Sequence, residues 1–227
     1  MKTLKYMLLG AMAALLAAAC VQQQRAPRKI SVQMYTTHGY TLEESIVGLA
    51  KLGITRIEST PIQKISEKFG NALFNPDSTP EQREFVKKLL ADNGMAITTI
   101  YYIPPKNEEQ LAKLMEFGRE FGVRLFVGES REEYCRKYGA KMAIHCHQRG
   151  SNTPYWNPET VRKIVDKYKN IGFCAETGAW SRSGIDPIAA LKTADGKIFA
   201  LHLKDQKTFG DINSPGVNYG TGALDMK

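Results

Sequence analysis

Cysteine, tryptophan and long apolar runs are all scarce in this chain of 227 residues, which holds four cysteines and two tryptophans. Beyond Cys20 only Cys135, Cys146 and Cys174 remain, an odd set without a C-x-x-C pair. That excludes a disulfide framework and a paired-cysteine zinc site, and leaves three free thiols as the expectation. Charge of one sign does not dominate either. Against 31 Lys and Arg stand 23 Asp and Glu, a formal net charge of +8. No basic face interleaved with aromatics is visible, so nucleic acid is not an expected partner. Disorder and fibrous structure are excluded by an ordinary globular balance, 43% hydrophobic and 24% charged. No second composition regime follows Ile30, so the chain reads as one domain.

The one long apolar run lies at the start. Lys2 and Lys5 precede residues 7–19, which end in small residues just before Cys20. A positive start, a short apolar centre and a small-residue end describe a secretory signal, too short to span a bilayer well. The ending "LLAAAC" resembles a bacterial lipoprotein signal, in which Cys20 becomes the lipidated first residue. The expected organisation is a signal at 1–20, a polar tether at 21–29 and a domain at 30–227. The expected location is outside the cytoplasm, anchored by lipid to a membrane and facing the periplasm or the cell surface. Loss of Lys2 and Lys5 would lower the formal charge from +8 to +6.

From Ile30 the pattern alternates between strand and helix. Strands are predicted at 30–36, 56–59, 96–102, 123–127, 141–147, 171–177 and 197–204. Helices are predicted at 41–52, 80–93, 107–121, 158–168 and 186–193, with a short one at 130–138. Thr41 with Glu44 matches a capping box, and Asp186 followed by Pro187 marks another helix start. Strand alternating with helix implies a parallel sheet with right-handed crossovers, an α/β fold of the TIM-type (β/α) barrel class. Seven strands are readable where a full barrel has eight, so the expected barrel is incomplete, its last β/α unit missing.

In such folds chemistry gathers at the carboxyl ends of the strands. Three strand ends carry unusual polar residues: "AIHCHQ", "CAETGAW" and "ALHLKD". Alternation puts His145 and His147 on one face, Cys174 with Glu176, and His202 with Lys204. If these faces point inward, five polar side chains meet at the barrel mouth. Three of the chain's four histidines are among them. Imidazoles with a carboxylate suit a divalent transition metal, or proton transfer beside a sugar carbonyl. Tyr155, Trp156 and Trp180 lie near this mouth in sequence and could stack on a sugar ring.

The segments "GLAKLGITRIE", "AKMAIHCHQ", "YWNPETV", "GFCAETGAWSRSGIDPIAAL", "IFALHLKD" and "GTGALD" run in order through most of the chain after Ile30. Together they resemble the sugar phosphate isomerase/epimerase family, the xylose isomerase-like TIM barrels, in its exported lipoprotein branch. The resemblance implies a divalent metal (Mn, Mg, Co or Zn) held by His145, Glu176 and His202. It implies catalytic roles for Glu176, His147 and Lys204, and substrate contacts from Glu58, Trp156, Trp180 and Asp205. Asp205 can alternatively hold the loop that follows it, and Glu58 can form a salt bridge near the barrel floor. The expected partners are a small carbohydrate, a membrane through the lipid anchor, and a second copy in a homo-oligomer.

Two departures stand out. The family's sixth strand carries aspartate and, three residues later, histidine, where this chain has Glu176 and Ala179. The eighth-strand glutamate of the family has no counterpart. Three functions follow as expectations: a metal-assisted sugar isomerase or epimerase, a lyase or hydratase of keto-glycosides, and a carbohydrate-binding protein without catalysis.

Overall fold

The structure, a computed structural model, describes residues 30–129 and 136–225. The predicted signal, the tether, Cys20 and most of the short helix at 130–138 lie outside the described residues. The domain begins at Ser31.

Its helices start where the sequence supplies caps. In α1 (Leu42–Lys51) the Thr41 hydroxyl accepts the Glu44 amide while the Glu44 carboxylate accepts the Thr41 amide. Both orphan donors are thereby satisfied. Thr79 and Gln82 repeat the device at α2 (Pro80–Asp92), where Pro80 fills the first turn. Leu42 and Ile46 point from α1 into the core, and each such buried aliphatic chain contributes about 1.5–3 kcal/mol. Gly53, at φ +77°, ends this unit in a conformation that glycine adopts without strain.

Seven parallel strands follow one another in sequence order in one sheet. They are β1 (Val32–Gln33), β2 (Arg56–Ser59), β3 (Ala96–Tyr101), β4 (Leu125–Gly128), β5 (Lys141–His145), β6 (Ile171–Glu176) and β7 (Ile198–His202). Between them run α3 (Glu108–Glu120), α4 (Pro158–Val165) and α6 (Pro187–Thr193). The sheet is strongly curled. Strands about 4.8 Å apart would put β2 and β7 about 24 Å apart in a flat sheet. Yet Glu58 on β2 meets His202 on β7 at 3.0 Å. The result is a curled half-barrel, an incomplete TIM barrel of seven strands.

The outward face packs Ile57, Phe126, Met142, Ile144 and Phe173 against the helices in the main core. Inside, a smaller cluster of Val127, Ala143 and Cys174 with Tyr101, Phe199 and Ala200 fills the floor. A sheet buried on both faces explains strands that read as apolar runs.

The sequence reading differs from the structure in three places. The first strand is two residues, because the chain turns into a 3-10 helix at Met34–Thr37 that buries Met34. A helix absent from the prediction, α5 (Thr177–Arg182), starts directly at the end of β6. Beyond β7, two-residue strands β8 (Asp205–Gln206) and β9 (Gly216–Val217) pair antiparallel. Elements this short carry no legible periodicity.

Candidate active site

Two irregularities in the sheet align the polar strand ends. Along β6 and β7, Phe173 pairs with Ile198, but the register slips before Cys174, which pairs with Ala200. Beyond the slip Glu176 is level with His202. Without it Glu176 would face Leu201, because a one-residue slip exchanges the two faces of a strand. Between β2 and β3 a second slip at Ile57/Glu58 puts Thr99 beside Glu58. Such irregularities re-aim side chains.

Glu176 is the centre of the result. Its Oε2 lies 3.4 Å from His145 Nε2, 3.3 Å from His202 Nδ1 and 3.4 Å from Lys204 Nζ. Its other oxygen, Oε1, is buried with no hydrogen-bond partner among the described residues. Burial opposes the ionised form of Glu176. The hydrogen bonds from His145 and His202 and the charge of Lys204 outweigh it and hold the carboxyl below the usual range.

His202 is held from both sides. Its Nδ1 faces Glu176 and its Nε2 faces Glu58 at 3.0 Å, while Thr99 donates its hydroxyl to Glu58 Oε2 at 2.7 Å. Burial works against a charged imidazole here. Hydrogen bonds with Cys174, Glu176 and Glu58 nevertheless raise His202 above the ordinary histidine range. Cys174, completely buried, is pushed up to about 11 by burial, against the pull of His202. It is a neutral thiol of the floor.

His147 stands one step further out. Its Nε2 is 2.9 Å from Glu129 Oε1 and 3.4 Å from His145 Nδ1. Burial, reinforced by the neighbouring His145, lowers its basicity, and Glu129 partly offsets this. Its backbone amide is fixed by the carbonyl of Tyr155, in the 3-10 turn Pro154–Trp156. Tyr101 meets the His145 ring edge-on, centroids 5.3 Å apart.

The five inward side chains expected from alternation are thus together. Glu58 joins them beneath His202 as a buried side chain. Thr99 and Glu129 escaped the sequence reading. Position two residues before Tyr101 on one strand face was the available signal for Thr99, and Glu129 had only its place just after β4. Trp156 is half-buried in its turn. Trp180 is a correction: it is wholly buried in the main core, because α5 turns it towards the helix layer, and it offers no ring face to a sugar. Asp205 is a second correction as a substrate contact. Buried at the start of β8, it accepts the amides of Gln206, Gly220, Gly222 and Leu224, so it holds the loop. Burial opposes its charge, but these four amides keep the carboxyl below its usual range. A side chain at Gly222 would collide with it. Ala179 lies inside α5, where its carbonyl accepts the Ser183 hydroxyl.

The donor set fits a divalent ion. One ligating atom each from His145, Glu176 and His202 lie within 4.8 Å of one another. An ion about 2.0–2.2 Å from each donor holds tetrahedral neighbours about 3.4 Å apart, close to the 3.3 and 3.4 Å found around Glu176 Oε2. The unpartnered Oε1 adds a free acceptor. Glu58 gripping Nε2 of His202 is the outer carboxylate that orients ligating histidines.

Comparison with known proteins bears on the fold. Residues 130–227 match the family described as xylose isomerase-like TIM barrel. The fold is a xylose isomerase-like TIM barrel. No curated protein matches the chain significantly in sequence. Among solved structures, an uncharacterised protein from Parabacteroides distasonis is 25% identical with a TM-score of 0.66, the match covering 80% of this chain and 76% of that one. A xylose isomerase-like TIM barrel protein from Mycobacterium smegmatis, in complex with magnesium, is 14% identical with a TM-score of 0.66, covering 87% and 83%. A sugar phosphate isomerase/epimerase from Parabacteroides distasonis is 18% identical with a TM-score of 0.56, covering 85% and 80%.

Proposed function

We propose that this xylose isomerase-like barrel moves a proton on the carbon next to a carbohydrate carbonyl, as a sugar isomerase or epimerase assisted by a divalent metal. The observation that carries the reading is the convergence of His145, Glu176 and His202 at neighbouring strand ends. A magnesium-bound neighbour and a sugar phosphate isomerase/epimerase of the same fold support it. When bound, a divalent ion supplies polarisation of the sugar oxygens. His145, Glu176 and His202 would hold it.

The remaining residues perform the proton chemistry. His147 stands outside the donor set and is the most exposed of the three imidazoles, at 23% against 16% for His145 and 12% for His202. It takes the proton, and Glu129 at 2.9 Å stabilises the imidazolium that forms. Lys204, half-exposed and within 3.4 Å of Glu176, sets a positive charge at the mouth where negative charge develops on the sugar oxygen. Return of the proton to the former carbonyl carbon, with the hydroxyl proton passing to the former carbonyl oxygen, completes an isomerisation.

Turnover of a panel of ketoses, aldoses and keto-glycosides, with Mn²⁺, Mg²⁺, Co²⁺ or Zn²⁺ added, tests the reading. His147→Gln is expected to lower kcat by about 10²–10⁴-fold while leaving the metal content unchanged. No turnover by the wild type with any metal, or full activity of the variant, contradicts it.

A further inference from the structure

The two ends of the barrel differ in charge. The seven strands run parallel, so all of them start at one end. At that end stand Arg56 and Lys141, the first residues of β2 and β5, with Arg124 just before β4, Lys167 and Lys169 before β6, and Lys197 before β7. Arg124, Lys141, Lys167 and Lys169 are exposed. Among the described residues none of these four pairs with a carboxylate, and the neighbouring acids are engaged, Asp166 by Arg162 and Asp195 by the Gly196 amide, each at 2.9 Å. The Lys197 ammonium is held at this end by the carbonyls of Val165 and Tyr168, both at 2.7 Å. Acids gather at the other end: Glu58, Glu129 and Glu176 in the site, and glutamates in the first turns of α1, α2, α3 and α4. Helix dipoles favour acids in first turns, but they give no reason for bases at strand starts.

The chain enters the sheet at this basic end, through β1. Just ahead of β1 the sequence adds Arg25, Arg28 and Lys29. Cys20, the expected lipidation point, lies ten residues before Ile30, a stretch of at most about 33–36 Å. We propose that the amino-terminal end of the barrel rests on a membrane surface of anionic lipid, with the histidine–glutamate cluster facing away from it. Each Lys or Arg near such a surface adds attraction, which fades within a Debye length of about 8–10 Å. The exposed aromatics Tyr35, Tyr40, Phe209 and Tyr219 all lie beyond β1 or β7, in loops at the other end. Among the described residues the basic end therefore has no exposed ring on which a nucleic-acid base could stack. The orientation leaves the mouth open to a diffusing carbohydrate.

Cosedimentation of the full chain with vesicles of phosphatidylcholine, alone or mixed with phosphatidylglycerol, tests it. The apolar residues 7–19 favour both kinds of vesicle, so the ratio of the two affinities reports charge. In about 50 mM NaCl the wild type is expected to bind the anionic vesicles tenfold or more tightly than the neutral ones. Arg124→Gln, Lys141→Gln, Lys167→Gln and Lys169→Gln together should cut that preference at least fivefold, with the circular dichroism unchanged. Lys64→Gln, Lys106→Gln, Arg149→Gln and Lys207→Gln, an equal change of charge in loops at the other end, should leave it intact. Equal loss in both variants assigns the effect to net charge and overturns the proposal. A preference that persists in the amino-end variant overturns it as well. So does a wild type that binds the two vesicles equally, or a wild-type preference that survives about 500 mM NaCl, and neither result depends on a variant. Tighter binding of a duplex oligonucleotide than of the anionic vesicles, lost with the amino-end substitutions, assigns the face to nucleic acid and overturns the proposal.

Discussion

Glu58 shows how much one side chain in this barrel depends on its neighbours. A carboxylate so deeply buried is costly unless its oxygens are paired, and here one oxygen accepts from Thr99 while the other meets His202. The pairing fixes which imidazole nitrogen turns to Glu176. Glu58→Gln should therefore weaken Zn²⁺ binding by about 10- to 100-fold, measured by competition with a chromophoric chelator, with the circular dichroism unchanged. Unaltered affinity would remove Glu58 from the site. The alternation of side chains along β5, β6 and β7 made His145, His147, Glu176, His202 and Lys204 legible in the sequence. The two register slips that align them were not legible, because a slip depends on the paired strand. Trp180 was misplaced for a related reason: an aromatic just past a strand end can turn to the mouth or to the helix layer, and only α5 decides.

Among the elements, the helices with capping boxes and glycine stops matched their predicted limits to within a few residues. The failures were the end of β1, α5 and the β8–β9 hairpin, pieces of two to six residues whose position comes from contacts rather than from pattern. The segment beyond the hairpin is organised by Asp205, whose carboxylate gathers the backbone amides of Gln206, Gly220, Gly222 and Leu224. Asp205→Ala orphans those donors. The expected outcome under limited thermolysin digestion is rapid cutting within 207–225, with the segment from Ser31 to His202 persisting. Equal protection of the loop in wild type and variant would show that other contacts hold it.

For the molecule as a whole, the curled sheet was foreseen in class and strand count, because β/α alternation and apolar strands follow from a sheet covered on both faces. Its stability carries a pH signature outside the site. Glu120 on α3 receives Lys87 and Arg83 from α2, each at 2.7 Å. The Lys87 hydrogen bond, with help from Arg83, lowers its pKa against the effect of burial. A carboxyl depressed in the folded state stabilises above its unfolded value, about 4.3, and the contribution is lost as pH falls through the folded value. Glu120→Gln should cost about 0.5–1 kcal/mol in urea unfolding at pH 7, modest because the pair is partly solvated. The difference from wild type should shrink towards zero below the ordinary glutamate range. A deficit that is constant with pH would assign the effect to packing.

The central claim is that His145, Glu176 and His202 form one divalent-metal site. Calorimetric titration of chelator-stripped protein with Zn²⁺ tests it most directly, alongside His145→Ala, His202→Ala and Glu176→Gln. The expected result is one ion per chain in the wild type and at least a hundredfold weaker binding in each variant, with the fold retained by circular dichroism. Binding that is absent from folded wild type, or undiminished in His202→Ala, would contradict it.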